Sequence, residues 1–107
     1  MPNHKTRSYA YCSDTSYTES IIPIVNGVDV LYHESTFLKD MEDRAKTTFH
    51  STAHQAATIA KKANVELLLL GHYSARYKSS SDFEIEAKEI FENVKAVEDG
   101  DLISIAL

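Results

Sequence analysis

The stretch VELLLL, at residues 65–70, constrains the fold more than any other part of this 107-residue chain. A continuous apolar run of this length is typical of a strand that is buried on both faces of a parallel sheet. It is far shorter than the roughly 18 to 20 apolar residues that cross a bilayer. Gly71 and His72 follow at once, and the chain becomes polar. We therefore expect a central strand, covered by helices on both faces, after which Gly71 lets the backbone turn into a functional site.

The segments before this run predict two further strands. SYAYCSD (residues 8–14) and VDVLYHE (residues 28–34) have strand composition, and both end in polar side chains. Between them, TESIIPIVNG predicts a short helix or loop that is closed by an Asn-Gly turn. Residues 35–50 are highly charged and show little apolar periodicity. They therefore predict a loop with about one helical turn.

Alanine spacing predicts a helix directly before the central strand. The alanines form a stripe of small side chains that suits close packing on a sheet. Ser51 or Thr52 can cap the start of this helix, and Asn64 can end it. The stripe consists of Ala53, Ala56, Ala57, Ala60 and Ala63.

A last long helix and two short strands complete the predicted order. Ser81 and Glu84 have the spacing of a capping box. VKAV and LISIAL, separated by EDGD, predict a terminal strand pair around a turn. The apolar stripe of the helix is Phe83, Ala87, Ile90, Phe91 and Val94.

This alternation of strands and helices predicts an α/β fold on a mostly parallel sheet. We expect one domain, residues 1–107, in which residues 1–7 are flexible. The net charge of −5 argues against general affinity for polyanions but allows a local basic patch. Cys12 is the single cysteine, so an intrachain disulfide is excluded. The N-terminus has no apolar signal region, and we expect a cytoplasmic protein without membrane contact.

Polar and ionisable residues follow three of the predicted strands, where parallel sheets place their functional groups. They are Asp14, His33, Glu34 and His72, with His50 just before a helix. A carboxylate with imidazoles is a ligand set for zinc or a similar divalent ion. Each residue alone has a plainer interpretation: Asp14 as a turn or helix cap, the histidines as hydrogen-bonded structural groups.

Three motifs together are more specific than any of these residues. YCSDT, HEST followed about fifteen residues later by FHSTAHQAA, and GHYSARY occur in this order. They resemble the successive C-terminal motifs of ribonuclease Z, the tRNA 3′-processing endonuclease of the metallo-β-lactamase superfamily. The resemblance extends from about residue 8 to the final EDGDLISI. It implies the C-terminal half of a metallo-β-lactamase-like αββα sandwich, with a mostly parallel sheet, helices and a terminal strand pair.

The resemblance also implies roles for individual residues. Asp14 corresponds to the carboxylate that bridges two zinc ions, and His72 to the last histidine ligand. His50 resembles the catalytic histidine near the scissile phosphate, with Glu34 as its partner. Phosphodiester cleavage by a metal-bound hydroxide needs a proton for the leaving 3′ oxygen. A carboxylate beside an imidazole raises its pKa and fixes its orientation, so this pair suits that proton transfer.

The segment that follows the last motif histidine is expected to bind substrate through three of its residues. By resemblance, Ser74, Arg76 and Tyr77 lie near the entrance of the active site. We expect Arg76 to contact a phosphate. A structural salt bridge is an equally open alternative for this arginine.

The sequence departs from the resemblance in one large respect. It contains neither the HxHxDH motif nor the further histidine ligand that ribonuclease Z carries in its N-terminal half. Asp14 and His72 alone are too few ligands for tight zinc binding, since zinc sites normally use three or four. We therefore expect the C-terminal half of a ribonuclease Z, by design or by natural truncation, with zinc bound weakly or absent.

The expected function follows from this incomplete site. The chain would be part of a zinc-dependent endoribonuclease that removes the 3′ trailer from precursor tRNA, inactive without the missing N-terminal half. An uncovered apolar face would favour a homodimer. The alternative is a non-catalytic binding or assembly module that completes a site with a separate N-terminal half or with another copy.

Overall fold

A four-stranded parallel sheet organises the computed structural model, which describes residues 8–12, 16–74, 76–77 and 79–97. The α/β class with a mostly parallel sheet is confirmed, because every pair of neighbouring strands is parallel. The second strand of the predicted terminal pair and residues 1–7 lie outside the described residues. The strands lie in the order β1 (Tyr9–Cys12), β2 (Val30–Glu34), β3 (Leu67–Gly71) and β4 (Val94–Ala96).

Four α-helices connect these strands in the described part. Short 3-10 turns, Glu19–Ile21 and Lys39–Met41, lead into the first two of them. Across the described ranges, no helix is long and apolar enough to cross a bilayer. The helices are α1 (Ile22–Val25), α2 (Glu42–Thr47), α3 (Ala53–Ala63) and α4 (Ser81–Lys88).

The described helices pack on one face of the sheet. Leu31, Leu68 and Leu70 lie on this face with the fully buried alanine stripe of α3 and with Phe83 of α4. Because alanine side chains are short, α3 can lie close to the strands. Leu68, Leu69 and Leu70 are buried as predicted, while Leu67 is half-buried.

The opposite face of the sheet has a separate small cluster. Val30, Tyr32, Leu69 and Val97 form it, and no residue of the described helices belongs to it. The prediction that helices cover both faces of the central strand is therefore wrong for the described part of the chain. An apolar run indicates that both faces are buried, but it does not indicate what covers each of them.

The predicted ends of α3 are confirmed. The Thr52 hydroxyl accepts from the Gln55 N–H at 3.0 Å, and the Gln55 side chain accepts from the Thr52 N–H at 2.9 Å. This is a capping box, in which two backbone donors are satisfied reciprocally. Asn64 ends the helix in the left-handed conformation, with φ 59°.

The predicted limits of α4 are wrong at both ends. The Ser81 hydroxyl pairs with that of Ser79, and a carboxylate oxygen of Glu84 accepts from the Ala96 N–H at 2.9 Å instead of closing a capping box. The helix ends at Lys88, and Val94 begins β4. Val94 packs in the same core as α3 and α4. Its apolar character therefore matched the helical spacing although the helix had already ended.

Gly71 is required by close packing. A Cβ atom on it would lie 2.2 Å from the Tyr32 hydroxyl oxygen. The Tyr32 ring is itself stacked on Tyr11, with ring centroids 4.4 Å apart. The turn expected at Gly71 is made by His72, whose φ is +63°.

Candidate active site

Three ionisable side chains meet at the carboxyl edge of the sheet. Glu34 is the last residue of β2, His72 directly follows β3, and His50 lies shortly before α3. The Nδ1 atoms of His50 and His72 lie 3.2 and 3.7 Å from Oε2 of Glu34. The two imidazole centroids are 5.4 Å apart. The structure thus brings together three of the five residues singled out at strand ends and the helix start.

Glu34 is held by several donors although it is completely buried. Its Oε1 accepts from the Ser51 N–H, and its Oε2 accepts from the Thr36 hydroxyl and lies against His50. Burial raises the pKa of Glu34, while these hydrogen bonds and the neighbouring histidines oppose the increase. A carboxylate with this many donors is fixed in place, so it can fix the rings that meet it.

The end of α2 determines where His50 lies. The His50 N–H donates to the Ala45 carbonyl at 2.8 Å, and the Phe49 N–H donates to the Lys46 carbonyl at 3.3 Å. These two bonds form a Schellman motif, in which Phe49 takes the left-handed position with φ 61°. Ala45 is buried, so the backbone of His50 is anchored to the core.

His72 is positioned by Thr36, a residue that the sequence analysis did not single out. The Thr36 hydroxyl lies 2.9 Å from Nδ1 of His72 and donates to Glu34. It therefore accepts from His72, which places the proton on Nδ1 of that ring. The sequence signal for Thr36 was its position in the HEST motif, two residues after Glu34.

His33 does not join this cluster. Its Nδ1 donates to the carbonyl oxygen of Glu34 at 2.8 Å, and its side chain is buried. Burial lowers the pKa of His33, which favours the neutral ring. His33 is therefore a hydrogen-bonded structural histidine, which was the plainer interpretation of this residue. Asp14 lies outside the described residues.

Tyr77 and Ser74 make contacts within the chain. The Tyr77 hydroxyl accepts from the Leu38 N–H at 3.0 Å and donates to Asp40 at 3.1 Å. Desolvation is the main cause that raises the pKa of Tyr77. The Ser74 hydroxyl accepts from the Arg76 N–H at 3.3 Å, and the Ser74 N–H donates to the Thr36 carbonyl.

Arg76 packs on Phe37, a neighbour of His50. Its guanidinium carbon is 6.0 Å from the centre of the Phe37 ring, a cation–π distance. The Phe37 ring in turn meets His50 edge-on, with centroids 6.4 Å apart. The Arg76 side chain is exposed. The Phe37 ring thus contacts both the Arg76 guanidinium and the His50 ring.

The donor set suits a divalent metal ion, with Glu34 in a supporting position. One donor atom from each of Glu34, His50 and His72 lies within 4.8 Å of the others. Both oxygens of Glu34 already accept hydrogen bonds, and both rings turn Nδ1 toward it. A carboxylate at Nδ1 orients a metal-binding imidazole, which then binds through Nε2. The residues present therefore fit a metal centre in which His72 is a ligand.

A parallel α/β sheet with imidazoles and a buried carboxylate at its carboxyl edge agrees with a metallo-β-lactamase fold, and comparison with known proteins supplies the family. Residues 3–73 match the family model of the beta-lactamase superfamily domain. The chain belongs to this family.

Curated relatives point to a narrower group within this family. The chain is 53% identical over 93 residues to ribonuclease Z of Cytophaga hutchinsonii, a match that covers 87% of the chain and 30% of that relative. It is similar to the C-terminal part of such proteins, as predicted. It spans about a third of their length.

Solved structures of this fold align with most of the chain. The metallo-beta-lactamase fold protein YhfI from Bacillus subtilis is 28% identical and has a TM-score of 0.80, over 87% of this chain and 37% of that one. Human tRNase Z, short form, is 32% identical with a TM-score of 0.57, over 73% of this chain and 25% of that one.

Proposed function

We propose that this chain supplies the C-terminal part of the active site of a zinc-dependent endoribonuclease that removes the 3′ trailer from precursor tRNA. The observation that carries the proposal is the contact between the buried Glu34 carboxylate and Nδ1 of His50 at 3.2 Å, with His72 beside it. The relatives named ribonuclease Z and tRNase Z support the substrate class.

The side chains divide the work of phosphodiester cleavage. His50 transfers a proton to the leaving 3′ oxygen, and Glu34 stabilises the protonated ring and fixes its orientation. Asp14 and His72 would hold zinc through oxygen and nitrogen donors. Zinc, when bound, polarises the phosphate and lowers the pKa of a water molecule.

Arg76 contributes a positive charge for the phosphate. A guanidinium that is packed on an aromatic ring keeps its donors directed outward, and it can bind a phosphate with two of them. Ser74 and Tyr77 serve substrate binding by holding the segment that carries Arg76, through the contacts of their hydroxyl groups.

We propose further that this single domain needs the remainder of the enzyme. The chain matches about 30% of its curated relatives and has no HxHxDH motif. In the described part, β1 is the last strand on its side of the sheet, and it exposes Tyr9 and Tyr11 by 50% and 65%. This edge suits an N-terminal part of the enzyme or a second copy in a homodimer. A role on precursor tRNA supports a cytoplasmic location as part of this proposal.

A reconstitution assay tests the proposal. The chain is incubated with zinc and a precursor tRNA that carries a 3′ trailer, alone and with the N-terminal two-thirds of the Cytophaga hutchinsonii ribonuclease Z. We expect cleavage only in the mixture. His50→Ala should lower the rate about 10²- to 10⁴-fold, the usual contribution of a general acid.

His54→Ala is the matched control, because His54 lies four residues after His50, in the first turn of α3, and outside the cluster. Equal losses in the two variants would refute the role of His50. Turnover by the chain alone would refute its incompleteness. If light scattering shows that the two parts associate while no cleavage occurs, the alternative of a non-catalytic assembly module is correct.

A further inference from the structure

The backbone of Phe49 is strained at a position where the fold prefers glycine. Phe49 is the left-handed residue of the Schellman motif that ends α2, with φ 61°. Glycine is the usual residue at this position because a Cβ atom crowds the backbone there. The Phe49 side chain is 72% exposed, so burial of the ring does little to offset this strain.

The other left-handed residues put Phe49 in context. In the described ranges, non-glycine residues with positive φ are Phe49, Asn64 and His72. Asn64 ends α3, and asparagine tolerates this conformation better than most residues. His72 belongs to the candidate active site. Phe49 has neither explanation, and it lies next to His50; strain of this kind is concentrated at functional positions.

A groove adjoins the Phe49 ring. It has a volume of about 590 Å³. Its lining combines aromatic rings, a side-chain amide, a cation and carboxylates, which are groups that bind nucleobases by stacking and by hydrogen bonds to base edges. The carboxylates disfavour a phosphate in the groove itself. Lining residues include Tyr17, Glu42, Lys46, Phe49, His50 and Gln55.

We propose that Phe49 is the stacking platform for a nucleobase of single-stranded RNA, next to the phosphate that meets His50. This inference rests on the proposed function and assigns the groove as its base subsite. The left-handed backbone turns the ring outward beside His50, and the ring gives a base an apolar surface on which to stack. Glycine would end α2 with less strain but would offer no ring.

A binding experiment on the 107-residue chain tests the stacking role. The probes are a short unstructured oligoribonucleotide and the same sugar-phosphate chain without bases, compared by NMR titration at one low salt concentration. We expect the intact oligonucleotide to bind more tightly and to shift the Phe49 ring resonances. Phe49→Gly should weaken its binding about tenfold or more, and Phe49→Trp should retain it.

Thermal unfolding separates lost binding from lost structure. Because it removes the strain, Phe49→Gly should raise the unfolding midpoint by about 4 °C while it weakens RNA binding. Asn64→Gly makes the same backbone change at the end of α3, and it should leave RNA binding unchanged. Ile85→Ala, which removes an exposed apolar side chain of α4, should also leave binding unchanged.

Several outcomes would overturn the inference. They are equal binding of the intact and base-free probes, unchanged binding by Phe49→Gly, or a lower unfolding midpoint in that variant. The cleavage assay separates this inference from the proposed function. If binding depends on the bases and on Phe49 but the reconstituted mixture shows no cleavage, the proposed function is refuted and the stacking site is retained.

Discussion

Strand β2 has a buried carboxylate near each end, and the two have different surroundings. Asp29 precedes the strand and is 8% exposed, while Glu34 ends it and is 0% exposed. Asp29 accepts from the Ser8 N–H at 2.9 Å, and the Ser8 hydroxyl accepts from the Asp29 N–H at 3.1 Å. Glu34 instead meets His50 and other side chains. A carboxylate that accepts from a distant backbone N–H joins two segments, whereas one that meets imidazoles can control their protons.

The largest effect is expected at Glu34. Glu34→Ala removes the acceptor that holds the Ser51 N–H and the Thr36 hydroxyl, so the free energy of unfolding should fall by about 3 kcal/mol. Cleavage in the reconstituted mixture should be lost. Urea unfolding and the cleavage assay measure both effects.

Glu34→Gln sharpens this test, because it keeps the shape of the side chain while removing its charge. It should recover only part of the stability, because the amide has one acceptor oxygen in place of two. Cleavage should not recover, since a neutral amide does not balance the charge of a protonated His50. A Glu34→Ala protein as stable as the unmodified chain would show that the carboxylate is not part of the folded framework.

A smaller effect, confined to stability, is expected at Asp29. Asp29→Ala removes the acceptor of the Ser8 N–H and should lower the free energy of unfolding by about 1 to 2 kcal/mol. Asp29→Asn retains an acceptor and should lose less. Reconstituted cleavage should not change under conditions in which the variant is folded. A large loss of cleavage there would remove the distinction between the two ends of β2.

The smallest effect is a pH dependence from His33. Its folded-state pKa is lowered by burial, so between about pH 6.5 and that lower value the unfolded chain binds a proton that the folded chain does not. Stability should therefore decrease as the pH falls below about 6.5, by at most about 1.4 kcal/mol per pH unit, and His33 should contribute no pH dependence above it.

His33→Asn isolates this term, since asparagine can donate to the same carbonyl but does not titrate. The raised pKa of Glu34 acts in the opposite direction, so the comparison between the two proteins matters more than either curve alone. Urea titrations at pH 5.5 and 7 give the change in the free energy of unfolding for each protein. An equal change in the two proteins would mean that His33 is protonated without cost in the folded state.

The strands, α3 and the meeting of Glu34 with His50 and His72 could be predicted from the sequence. Burial of a strand requires apolar residues, and parallel strands share their carboxyl edge, so both leave a pattern in the chain. The end of α4 could not be predicted, because Ile90, Phe91 and Val94 are apolar for the same core whether or not they are helical.

Finer details of the site depend on atoms that no pattern specifies. The orientation of His72 depends on the Thr36 hydroxyl, and the place of His50 depends on the Schellman motif at Phe49. A left-handed phenylalanine goes against local preference, so propensity predicts against it. Asn64 follows local preference, and its role as a helix end was predicted.

The close contact between Gly71 and Tyr32 links two distant positions of the sequence. Any larger residue at 71 needs the ring at 32 to shrink or move, and Tyr11 stacked on that ring resists its movement. A library that randomises position 71 alone would return glycine. A library that varies positions 32 and 71 together could find new pairs. The side chain of Tyr32 on the neighbouring strand thus limits the size of the residue before His72. Redesign of this part of the sheet has to vary the two strands together.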